Sequence, residues 1–87
     1  MQEAKVIVYT LDNCPYCKLA KDLLDKRGIV YEEINFTLDP ELREEIAEKS
    51  GMRTAPQVFV DGRPIGGFEN LKRLDAIGEL ARIARGK

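Results

Sequence analysis

Histidine and tryptophan are absent from this 87-residue sequence, cysteine occurs only twice, and charge of either sign is barely in excess. The missing histidine removes imidazole both as a general base near neutral pH and as a metal ligand. Fourteen Lys and Arg against fifteen Asp and Glu leave a formal charge of -1. That balance gives no electrostatic case for a nucleic acid or an anionic membrane surface as partner. No apolar run approaches the roughly 20 residues that a membrane-spanning helix needs. The opening Met1-Gln2-Glu3-Ala4-Lys5 has no apolar core of the kind a secretory signal carries. A cytoplasmic, monomeric protein acting on a small, nearly neutral partner is the expectation. Two closely spaced cysteines constrain little of an unfolded chain, which argues against a disulfide-stapled secreted module.

What is present describes an ordinary folded domain. Hydrophobic residues make up 44% of the chain and charged residues 33%, which excludes disordered and collagen-like readings. At this length residues 1–87 form one domain with one modest core.

The two cysteines fall in Cys14-Pro15-Tyr16-Cys17, between a β-like run and an amphipathic helical run. Residues three apart in a first helical turn meet the Cα separation of roughly 4.4 to 6.8 Å that a disulfide requires, so the pair can open and close with little backbone change. A helix N-terminus offers unpaired N–H groups and positive dipole, which lower a thiol pKa and favour the nucleophilic thiolate. Cys14 is placed to receive that effect. Cys17, one turn inside, is placed to resolve a mixed disulfide. A structural zinc site would need about four Cys or His ligands, and this chain has two cysteines and no histidine. No metal is expected. A purely structural disulfide is disfavoured by the cytoplasmic reading. Lys18 and Lys21 are candidates for added positive field, or simply for a solvated helix face.

Lys5–Thr10 is a β-branched and aromatic run suited to a central strand. Residues 15–27 carry Leu19, Ala20, Leu23 and Leu24 at helical spacing, with Pro15 at a first helical position and Gly28 as a stop. Ile29–Asn35 alternates as a second strand, completing a parallel βαβ unit. Asp39-Pro40 reads as an N-cap with proline following, and Leu42, Ile46 and Ala47 give the second helix its apolar face. Gln57–Val60 is a third strand, Asp61-Gly62 a turn, and Pro64-Ile65 the start of a fourth strand at a sheet edge. From about Glu69, Leu71, Leu74, Ile77, Leu80, Ala81 and Ile83 predict a single terminal helix. The order is β-α-β-α-β-β-α, an α/β fold with a mixed four-stranded sheet and helices on both faces.

A CxxC at the first strand-helix junction of a βαβ unit reads as a thioredoxin-like redox motif. Together with Thr54-Ala55-Pro56-Gln57-Val58-Phe59-Val60 and Gly66-Gly67-Phe68-Glu69-Asn70-Leu71, the CPYC segment resembles the small dithiol glutaredoxins. The resemblance runs from Val6 to the last helix. It implies a glutathione-dependent thiol-disulfide oxidoreductase that reduces protein disulfides and protein-glutathione mixed disulfides, with Cys14 as nucleophile and glutathione as reductant. Cys17 would be needed only for the dithiol route.

The resemblance also implies a glutathione groove. Pro56, read alone, is an ordinary trans proline opening a strand. In the family it is cis and faces the CxxC, and the backbone of the preceding residue, here Ala55 after Thr54, pairs with the cysteinyl unit of glutathione. Gly66-Gly67 permits close backbone approach, and the following helix start, with Phe68, Glu69 and Asn70, would take the γ-glutamyl end. Arg43 matches a position that reaches the glycine carboxylate, and Tyr16 a groove-lining aromatic.

The sequence departs from the family where Leu11 stands in place of a frequent lysine, Asn70 in place of a frequent aspartate, and Phe68 in place of a small or polar residue. Two other readings follow from the resemblance. One is a redoxin reduced by thioredoxin reductase that donates electrons to ribonucleotide reductase. The other is a carrier of a glutathione-ligated [2Fe-2S] cluster, against which the proline of CPYC argues.

Overall fold

A computed structural model of the chain describes residues 2–86. Its elements in order are β1 (Val6–Thr10), α1 (Pro15–Lys26), β2 (Glu32–Asn35), α2 (Pro40–Ser50), β3 (Gln57–Val60), β4 (Arg63–Gly66), α3 (Phe68–Ala76) and α4 (Glu79–Arg85). The strands form one sheet in the order β2-β1-β3-β4. β1 runs parallel to β2, with Tyr9 opposite Ile34, and antiparallel to β3, with Val8 opposite Val58. β3 and β4 form the expected antiparallel hairpin. The mixed sheet is the one the sequence predicts.

Strand periodicity explains why the sheet is covered on both sides, because alternate residues point to opposite faces. Val6, Val8, Val58 and Val60 face a cluster completed by Ala20 and Leu24 of α1, Leu71 of α3, and Leu80 and Ala84 of α4. Tyr9 and Phe59 face the other way, where they meet Phe36 and Ile46 of α2. Tyr9 stacks on Phe36 at 5.7 Å between ring centroids and meets Phe59 edge-on at 5.4 Å. α2 begins as its sequence dictates, with the Asp39 side chain accepting a hydrogen bond from the Leu42 N–H at 3.1 Å, and it ends at Gly51 in the left-handed region. No described helix is long and apolar enough to cross a membrane.

Two expectations are corrected. β2 starts at Glu32, not Ile29. Val30 has both backbone groups taken by one side chain, Gln2, which donates Nε2 to the Val30 carbonyl at 2.7 Å and accepts the Val30 N–H on Oε1 at 2.8 Å. Its backbone is satisfied without a neighbouring strand. The single terminal helix is in fact two, because Gly78 adopts φ 77° between α3 and α4. The break resets the helical phase: Ile77 and Ala81 face solvent, while Leu80 and Ala84 are buried. The end of α1 is tied to α3 by a two-point ion pair, Arg27 Nε to Asp75 Oδ1 at 2.6 Å and Nη2 to Oδ2 at 2.8 Å. Hydrogen bonds from Arg27 hold the Asp75 carboxyl below its ordinary range.

Candidate active site

Cys14 occupies the N-cap of α1 in an extended conformation, φ -111° and ψ 100°. The residue before it, Asn13, takes φ 55°, a left-handed conformation that asparagine tolerates better than most residues. This turn lifts the chain from the end of β1 into the helix. It is braced from the side: the Asp12 N–H donates to Thr37 Oγ1 at 2.8 Å, Asn35 Nδ2 donates to Asp12 Oδ1 at 2.9 Å, and the Thr37 N–H donates to Asn35 Oδ1 at 3.0 Å. The β1–α1 connection is thereby fastened to the segment leaving β2.

Cys14 and Cys17 are joined as a disulfide with their Cα atoms 5.2 Å apart. The Cys14 sulfur is half-buried and accepts the Cys17 backbone N–H at 3.2 Å. Cys17 is 3% exposed. The geometry separates the pair into an accessible sulfur and an enclosed one. The first turn of α1 contains no acidic residue, so nothing there opposes a negative charge on Cys14. Lys18 and Lys21 are committed elsewhere, to Asp22 at 3.2 Å and to Glu33 at 3.1 Å. The stabilising field for a Cys14 thiolate therefore comes from the helix terminus and the Cys17 N–H.

Across from the disulfide, the Ala55–Pro56 peptide bond is cis and the Ala55 carbonyl oxygen lies 3.8 Å from Cys14 Sγ. A groove of about 490 Å³ opens beside them, lined by Tyr16, Met52, Thr54, Ala55, Pro56, Gly66, Gly67, Phe68, Glu69 and Asn70. Three distant sequence motifs thus meet on one surface. The rings of Tyr16 and Phe68 are 6.1 Å apart. Gly67 caps α3 with no side-chain hydrogen bond, which leaves the first-turn N–H groups of α3 without a side-chain acceptor. A Cβ on Gly67 would stand 3.2 Å from the Pro56 carbonyl oxygen, and one on Gly66, at φ 121°, would stand 2.7 Å from Asn70 Nδ2. Both glycines allow a close approach that larger residues would disturb.

Arg43 is not among the residues lining this groove. It lines a separate depression with Phe36, Arg53 and Gln57, and its guanidinium stands over the Phe36 ring at 5.9 Å. Asn70 lines the groove, but its side chain is engaged: Nδ2 donates to the Ile65 carbonyl at 2.6 Å and Oδ1 accepts from Arg73 at 2.7 Å. Leu11 packs half-buried against the Tyr9 and Phe36 cluster. Met52 and Gln57 are the residues that sequence reading missed. Met52 forms part of the groove wall, and Gln57 holds that wall from behind by donating Nε2 to the carbonyls of Met52 and Thr54, each at 2.8 Å. Met52 lies outside the three motifs, and Gln57 lies inside the second at a position that the sequence reading gives no role.

A glutaredoxin family model matches residues 6–65. Glutaredoxin 3 of Escherichia coli K12 is 43% identical over 77 residues, which cover 88% of this chain and 93% of that protein. Among solved structures, the solution structure of glutaredoxin from Brucella melitensis has a TM-score of 0.85 at 42% identity, covering 95% of this chain and 91% of that one. A buckwheat glutaredoxin-glutathione complex has a TM-score of 0.87 at 26% identity, covering 93% and 76%. With a CxxC pair at the head of α1 and a thioredoxin-like sheet beneath it, this chain belongs to the glutaredoxin family of thiol-disulfide oxidoreductases.

Proposed function

We propose that this protein reduces protein-glutathione mixed disulfides and protein disulfides with electrons from glutathione, Cys14 being the nucleophile and Cys17 the resolving thiol. The observation that carries the reading is the position of the Cys14 sulfur: half-buried, accepting the Cys17 N–H at 3.2 Å, and 3.8 Å from the Ala55 carbonyl at the edge of the groove. The buckwheat relative is described as a complex with glutathione.

In the monothiol route the Cys14 thiolate attacks the glutathionyl sulfur of the substrate. The Cys14–glutathione disulfide forms as the substrate disulfide breaks, and the protein thiolate leaves and takes a proton from water. A glutathione thiolate then attacks the glutathionyl sulfur on Cys14, releasing glutathione disulfide and restoring the thiolate. In the dithiol route Cys14 attacks a protein disulfide, Cys17 attacks the Cys14 sulfur of the mixed disulfide, and the departing substrate is reduced. Two glutathiones then reopen the Cys14–Cys17 bond. Because Cys17 is enclosed, it serves as an intramolecular attacker and not as a point of entry.

In this reading glutathione lies along the groove. Its cysteinyl backbone pairs with Ala55, between Thr54 and Pro56, and Tyr16 flanks its sulfur. Its γ-glutamyl carboxylate meets the N–H groups after Gly67, at Phe68 and Glu69, while Asn70 supports the turn through Ile65. Arg43 supplies a cation for the glycine carboxylate from the neighbouring depression.

The test couples the protein to glutathione, glutathione reductase and NADPH with a glutathionylated peptide as substrate. Turnover should survive Cys17→Ser and vanish with Cys14→Ser. The redoxin reading is favoured by Leu11, which offers no charge near Cys14, and by the engaged side chain of Asn70. Failure with glutathione together with rapid reduction by thioredoxin reductase would select that reading and make ribonucleotide reductase the target to assay.

A further inference from the structure

Cys14 attacks a sulfur that belongs to something larger, and a protein-glutathione mixed disulfide has two halves to accommodate. The groove has room for one of them. On the reading that this half is glutathione, the polypeptide half must rest on the surface just outside the groove.

The structure offers an apolar ridge at that place. Tyr16 is 57% exposed and Leu19 44% exposed, both on α1. Residues three apart on a helix have Cβ atoms about 5 to 6 Å from each other, so the two side chains are neighbours. Both lie to one side of the buried stripe of the same helix, Cys17, Ala20 and Leu24, with Tyr16 next to it and Leu19 further round toward solvent. Tyr16 lines the groove and Leu19 does not. Tyr16 is therefore the boundary between the groove and the ridge beyond it. Single exposed apolar side chains are ordinary on protein surfaces, and Val30, Leu38 and Ile77 are of that kind. Leu19 differs because its neighbour adjoins the nucleophile.

We propose that Leu19, with the outer part of Tyr16, is the docking surface for the polypeptide carrying the target sulfur, and that it favours substrates with an apolar residue beside the reacting cysteine. The occupant follows from the chemistry. When Cys14 attacks the glutathionyl sulfur, the bond that breaks joins it to the substrate cysteine, so the residues flanking that cysteine lie within a few ångströms of the first turn of α1. An apolar flanking side chain removes Leu19 surface from water, and a serine does not.

The experiment measures single-turnover oxidation of the fully reduced protein by stopped flow, with no recycling reductant. Two glutathionylated peptides differ only in leucine or serine next to the cysteine, and the mixed disulfide of glutathione with cysteamine is the small probe. The leucine peptide should react about fivefold faster than the serine peptide, as partial burial of one leucine implies. Leu19→Ser should bring that ratio close to one while leaving the small probe unchanged, and Leu19→Met should retain the preference. Equal rates for the two peptides with the unmodified protein would overturn the proposal, as would a uniform slowing of all three substrates in Leu19→Ser. If the glutathione-cysteamine disulfide reacts no faster than cystamine, the glutathione reading fails, whereas a peptide preference abolished by Leu19→Ser still upholds the ridge.

Discussion

Gln57 donates its side-chain amide to the Thr54 carbonyl at 2.8 Å, from a position that is 2% exposed at the start of β3. The same nitrogen bonds the Met52 carbonyl at 2.8 Å. One buried side chain thus fixes the loop that forms a wall of the groove opposite Cys14. Its Oε1 has no hydrogen-bond partner among the described residues, so the value of this side chain lies in its donor.

Gln57→Leu keeps much of the volume and removes both hydrogen bonds. The Met52 carbonyl keeps a hydrogen bond from the Ser50 hydroxyl at 3.1 Å, so the loss falls on the Thr54 carbonyl. That loss costs about 1 to 3 kcal/mol if the carbonyl stays buried, and less if the loop swings it into water. The variant should lose stability in urea denaturation. It should also raise KM for a glutathionylated substrate more than it lowers kcat, because the groove wall moves while the Cys14 turn does not. An unchanged KM would show that the loop keeps its shape without the staple.

The two glycines before α3 should respond differently to alanine. Gly66 has φ 121°, and its added Cβ would lie 2.7 Å from Asn70 Nδ2 and 2.9 Å from Asn70 Cβ. Strain in that backbone region is worth about 1 to 3 kcal/mol, and Gly66→Ala should lower Tm clearly. Gly67 has a negative φ, and its Cβ would meet only the Pro56 carbonyl oxygen at 3.2 Å. Gly67→Ala should therefore lower Tm less than Gly66→Ala and weaken glutathione binding in titration calorimetry by about tenfold, the equivalent of ~1.4 kcal/mol. Equal Tm losses in both variants would contradict this assignment.

Much of this architecture is legible in the sequence because its signals are local. Asp39-Pro40 caps α2, Gly51 ends it, Asp61-Gly62 turns the hairpin, and valines at alternate positions specify the sheet faces. The three motifs that meet at the groove are likewise visible as motifs. What the sequence conceals depends on partners far along the chain. Gln2 satisfies Val30 across 28 positions and shortens β2, and no periodicity registers that. Gly78 interrupts an apolar repeat that stays helical on both sides, so the repeat reads as one helix where the backbone makes two. Arg43, expected at a glycine carboxylate, lines a depression apart from the groove, beside Phe36 and Gln57. Gln57 looks like an ordinary strand residue until its bonds to Met52 and Thr54 are seen.

Thr37 tests whether the brace beside the nucleophile matters to its chemistry. Its hydroxyl accepts the Asp12 N–H at 2.8 Å, two residues before Cys14. Thr37→Ala should cost about 0.5 to 1.5 kcal/mol of stability, the net worth of one hydrogen bond. A looser turn should also hold Cys14 less well against the first N–H groups of α1, so its thiol pKa should rise. Thiolate absorbance at 240 nm across pH in Cys17→Ser, with and without Thr37→Ala, measures that change. A stability loss with an unmoved thiol titration would make the brace structural only.

Glu33 links α1 to the sheet, accepting from the buried Thr10 hydroxyl at 2.8 Å and from Lys21 at 3.1 Å. Burial pushes its carboxyl up, but the hydrogen bonds from Thr10 and Lys21 and the Lys21 charge outweigh that and hold it below the ordinary range. A carboxylate whose pKa falls on folding contributes stability that is fully present above its unfolded value of about 4.3, and that contribution is lost as pH drops through the lower folded value. The Glu33 side chain is 36% exposed, so the contribution is modest, no more than about 1 kcal/mol. Glu33→Gln should therefore be slightly less stable than the unmodified protein at pH 7, and the gap should close as pH falls below about 4. Urea midpoints measured from pH 3 to pH 7 follow the difference. A gap that widens toward acid would mean that the Thr10 and Lys21 contacts do not stabilise the charged form.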